Sequence, residues 1–104
     1  LWLVRSGNTN EAVQQLKLAT QHSQDPHIFY LYAIALNQVG KTGEAFSVLD
    51  KAAALPTYNR NVQLTRFSMA LDNKQYERAE KYLRAWQLLD PHDPTVLEVT
   101  NQNR

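Results

Sequence analysis

Cysteine is absent from the 104 residues, so disulfides, thiol nucleophiles and cysteine-based zinc sites are excluded. The redox compartment stays open, because a chain without thiols suits either environment. Glycine is scarce at three, which argues against glycine-rich phosphate loops and turn-dense all-β folds. No excess of one charge exists: 11 Lys+Arg stand against 10 Asp+Glu, for a formal +1. Such a balance predicts no nucleic-acid partner. Long hydrophobic runs are missing too. The longest, Ile28 to Leu36, has nine residues, against the roughly 20 a membrane span needs. What remains, 43% hydrophobic and 20% charged, is the composition of a folded domain. The chain opens on Leu1 without a basic-then-apolar leader. It reads as a piece of a longer protein whose targeting signal is out of view, so no compartment is assigned.

An internal repeat is present. Residues 7–12 read Gly-Asn-Thr-Asn-Glu-Ala and residues 40–45 read Gly-Lys-Thr-Gly-Glu-Ala, an offset of 33. The same offset takes Leu3 to Leu36, Leu16 to Leu49 and Ala19 to Ala52. An offset of 34 takes Ala45 to Ala79, Leu49 to Leu83 and Ala52 to Trp86. Upstream of that third copy, an offset of 35 takes Phe29 to Leu64, Tyr32 to Phe67, Ala33 to Ser68 and Leu36 to Leu71. The mismatch predicts a one-residue deletion in the turn before Tyr76.

Each copy reads as a helical hairpin. Phe29, Tyr32, Ala33 and Leu36 fall at i, i+3, i+4 and i+7, one helical face. Asp25-Pro26 supplies an N-cap and a proline at the first helical position. Gly40 is placed to take the left-handed conformation that ends a helix. The partner helix carries Ala45, Val48, Leu49 and Ala52, and Pro56 ends it. The third copy runs from Asn59 as cap through Leu64, Phe67, Ser68 and Leu71, then Ala79, Leu83 and Trp86. In the first copy, Leu1 to Arg5 is the tail of a first helix and a second helix spans about residues 10–22. Asp93-Pro94 starts a further helix. Small residues inside the stripes let helices approach to about 8–10 Å.

This pattern resembles the tetratricopeptide repeat, a helix–turn–helix unit with a period of about 34. The residues that carry the likeness are Phe29, Tyr32, Ala33, Leu36, Gly40, Ala45, Leu49, Ala52 and Pro56, then Leu64, Phe67, Ser68, Leu71, Ala79, Leu83, Trp86 and Pro91. Departures are Phe29 and Leu64 where the family often has Trp, Trp86 where it usually has Ala, and the shortened third turn. The resemblance implies one all-α domain over 1–104, a right-handed superhelical array of antiparallel helix pairs (a tetratricopeptide-like α-solenoid). Its parts are a partial repeat at 1–25, repeats at 26–58 and 59–92, and the start of a C-terminal helix at 93–104. A related helical-pair solenoid obeys the same stacking logic.

The chain offers little for chemistry. His22, His27 and His92 form no His-x-x-x-His or Glu-x-x-His pair, so no metal site is expected. Glu11 and Glu44 are equivalent repeat positions at the start of second helices, where negative charge suits the helix dipole. No nucleophile-plus-base pattern and no phosphate loop appears. The expectation is a non-enzyme without a cofactor. Lys74, Arg78, Lys81 and Arg84 are interleaved with Glu77 and Glu80, a face that neutralises itself.

Arrays of the resembled family bind peptides or partner helices on a concave side lined by first helices. The positions left over from the packing stripes are His27, Tyr30, Leu31, Ile34, Asn37 and Gln38, then Val62, Thr65, Arg66, Met69, Asp72 and Asn73, with Leu1, Val4 and Arg5 as a remnant of the first copy. Part of the apolar excess of the helix that holds Tyr30 and Ile34 packs on neighbouring helices, so Tyr30 and Ile34 are either inter-repeat core or, with Met69, apolar anchors of a groove in which Asn37, Gln38, Thr65 and Asn73 would bond the ligand backbone. One branch of the family clamps a C-terminal carboxylate with Lys and Asn. Tyr30, Ile34, Thr65 and Met69 stand at those places, which disfavours that ligand. The leading expectation is therefore an adaptor that binds a protein or peptide. The alternatives are self-association through open ends, using Leu1, Trp2 and Leu3 or Trp86, Val96, Leu97 and Val99, and an accessory domain of an enzyme lying outside this segment.

Overall fold

The computed structural model describes residues 8–102, all of whose regular structure is helical. Six helices follow in order: α1 (Asn8–Gln21), α2 (Pro26–Gln38), α3 (Thr42–Ala54), α4 (Arg60–Asp72), α5 (Tyr76–Leu89) and α6 (Pro94–Gln102). No strand occurs among the described residues. The fold class is all-α. None of these helices is long and apolar enough to cross a membrane. Leu1, Trp2, Leu3, Val4 and Arg5 lie outside the described residues.

Helix starts recur with a constant period. Pro26, Arg60 and Pro94 open α2, α4 and α6, each 34 residues after the last, and Thr42 and Tyr76 open α3 and α5, also 34 apart. Local chemistry explains why. Before each first helix stands an Asp or Asn whose side chain satisfies amides that the helix leaves orphaned. Asp25 Oδ1 accepts the His27 N–H at 3.0 Å. Asn59 Oδ1 accepts the Val62 N–H at 3.2 Å. Asp93 Oδ1 accepts the Thr95 N–H at 2.8 Å. The 33-residue offset between the first two copies is absorbed in the connections: Leu55 to Asn59 is one residue longer than His22 to Asp25.

The turns inside the hairpins are alike. Gly40 has φ +86°, with Gly40 N–H bonded to the Asn37 carbonyl and Lys41 N–H to the Leu36 carbonyl at 2.9 Å. Lys74 has φ +59°, with Lys74 N–H bonded to Leu71 O and Gln75 N–H to Ala70 O at 2.9 Å. Both are helix ends closed by a left-handed residue, with the same pair of backbone bonds. The expected deletion before Tyr76 is therefore absent, since three residues separate α2 from α3 and three separate α4 from α5. Lys74 occupies the conformation that Gly40 occupies, and the correct offset through α4 is 34, not 35.

Two compact units are distinguishable, Leu1–Val62 and Gln63–Arg104. In the first, α2 packs on both α1 and α3. Ala12, Val13, Ala33, Ala35, Leu36, Ala45, Phe46, Leu49 and Ala52 are buried there. Ala33, Ala45 and Leu49 have no accessible surface, and the two alanines are small enough to let helices approach closely. In the second unit α5 packs on α6, and Trp86 is the largest wholly buried side chain. Phe67, Ala70, Ala79, Tyr82 and Val96 are buried with it. Trp86 and Val96, named as residues of an open end, are thus interior. Leu97 is exposed and Val99 is half-buried.

Candidate functional site

The candidate site is built first on α2, because that helix has neighbours on two sides. Pro26, Ala33, Ala35 and Leu36 are buried. At 3.6 residues per turn, the side left open is centred on His27 and Gln38, both exposed, with Tyr30, Leu31 and Ile34 half-buried around them. Five of the six expected α2 positions lie on this face. The rings of His27 and Tyr30 meet at 5.6 Å with 33° between their planes. Asn37 is different, because its Oδ1 accepts the Thr42 hydroxyl at 3.0 Å and braces the turn into α3. Its carbonyl oxygen is used by the fold.

No Asp, Glu, Lys or Arg occurs in α2. The nearest acidic groups serve local structure. Asp25 caps the helix, and Glu44 acts on Tyr32. Burial pushes the Tyr32 phenol above its ordinary value, and the Glu44 carboxylate adds to the shift. Tyr32 stands two positions from Tyr30, so it faces nearly the opposite side of the helix.

On α4 the structure corrects the expected residues. Val62 is 1% and Met69 4% exposed, so neither is available as an anchor for a guest. Leu71, assigned to the packing stripe, is 41% exposed. One residue of offset turns a helix by about 100°, enough to exchange a packing face for an open one. With the offset of 34, the counterparts of His27, Tyr30, Leu31, Ile34 and Asn37 are Asn61, Leu64, Thr65, Ser68 and Leu71. Asn61 and Leu71 are exposed, and Leu64, Thr65 and Ser68 are half-buried. Thr65 and Asp72, two of the expected positions, lie on this face as well. Asn61, Leu64, Ser68 and Leu71 were missed, and the signal that finds them is the equal spacing of Asp25, Asn59 and Asp93.

Two further expected residues are committed to the fold. Arg66 lies with its guanidinium carbon 4.1 Å above the Tyr82 ring, a cation–π contact. Its Nη1 stands 3.5 Å from Oε1 of the buried Gln63. Asn73 is exposed, but its amide donates to the Met69 carbonyl at 2.8 Å and so continues the end of α4.

The basic stretch of α5 is likewise occupied. Arg78 donates through Nε to Gln75 Oε1 at 2.8 Å and through Nη1 to the Tyr82 hydroxyl at 3.1 Å. Exposed Arg84 pairs with Glu80 one turn back. Among the described residues, no group of three or more His, Asp or Glu is placed to hold a metal ion. What the open faces present is rings, aliphatic carbon, hydroxyls and amides, with the Asp72 carboxylate on α4.

Comparison with known proteins gives no family assignment: no protein-family model, no curated protein and no solved structure matches the chain.

Proposed function

We propose that this chain is a non-catalytic protein-interaction module, a tetratricopeptide-like array of antiparallel helix pairs. It holds a peptide or partner helix against the open faces of its first helices. The observation that carries the reading is the apolar excess of α2. That helix already packs on α1 and α3, yet Tyr30, Leu31 and Ile34 keep part of their surface on its remaining side. A helix apolar all round is ordinarily buried all round. One that keeps an accessible apolar side has area to lend to a partner. The constant spacing of starts and caps supports the repeat part of the proposal, because stacked pairs present equivalent faces.

The experiment is comparative capture with the full chain and a Tyr30→Ala/Ile34→Ser variant. Both should give the same helical circular dichroism. Partners retained by the parent should be lost from the variant. Identical retention by the two proteins refutes the assignment.

A second reading, self-association, is favoured by a different observation. Leu88 is 87% exposed, and Leu89 and Leu97 are exposed as well. Sedimentation velocity across a hundredfold concentration range separates the two. A mass that rises with concentration and falls back in Leu88→Glu supports association, and a constant monomer rejects it.

A further inference from the structure

We draw no further inference here: the strongest candidate, the exposed apolar surface of Leu88 and Leu89 at the end of α5 and of Leu97 on α6, carries nothing because nothing in the structure shows what covers it.

Discussion

Gly40 and Lys74 occupy equivalent turn positions with the same left-handed backbone, and only one of them is a glycine. A pair of substitutions of opposite sign follows. A Cβ built on Gly40 meets nothing within 4 Å, so Gly40→Ala brings no clash and its cost is that of the backbone alone. Placing an L-residue in the left-handed region costs about 1–2 kcal/mol, partly offset by the lower chain entropy of Ala in the unfolded state. A net loss of about 1 kcal/mol is expected. Lys74→Gly should gain a similar amount, because it removes a strain the native chain carries. For a domain of this size, about 1 kcal/mol moves the melting temperature by roughly 4–8 °C. Circular dichroism melts of the parent, Gly40→Ala, Lys74→Gly and Lys74→Ala should therefore rank with Lys74→Gly highest, Lys74→Ala close to the parent and Gly40→Ala lowest. Urea titration should show the midpoints moving at constant slope. A Lys74→Gly protein no more stable than the parent would sink the claim that the two turns are the same structure.

Removing the Asp93 side chain should cost about 1–2 kcal/mol, because Asp93→Ala strips the cap from the Thr95 amide at a buried position; chemical denaturation measures it, and Asp93→Asn should recover most of the loss. Trp86→Ala empties the largest buried site and should cost about 3–5 kcal/mol, read as a lost or strongly lowered melting transition, with Trp86→Phe intermediate. The raised Tyr32 phenol means that the unfolded chain gives up this proton first. Its contribution is complete below the ordinary tyrosine value near pH 10 and is lost as pH climbs through the higher folded value. The stability difference between the parent and Tyr32→Phe should thus shift against the parent as pH rises above about 10, and Glu44→Gln should lessen that shift. An unchanging difference across the range contradicts the assignment.

Helices, caps and stops were legible in the amino-acid order because each depends on near neighbours. Asp25-Pro26, Asn59 and Asp93-Pro94 announce first helices through bonds that span two or three residues. Gly40 announces a turn through its own φ. The open face of α2 was legible for the same reason, since one helix with periodic apolar residues defines its own sides. The face of α4 was not. Matching residues by size aligns Ala33 with Ser68 and Leu36 with Leu71, an offset of 35. The backbone aligns Ala33 with Phe67 and Leu36 with Ala70, so that small and large exchange places along the helix. Buried volume is shared among neighbours. A position can therefore change size without changing its role, and only packed coordinates reveal the role. Lys74 makes the same point: its left-handed backbone comes from the bonds of Lys74 and Gln75 to Leu71 and Ala70, not from the preference of lysine. Residue order thus determined which segments coil and where each begins and ends. Tertiary packing decided which way α4 is turned, and with it which of its side chains stay open to solvent.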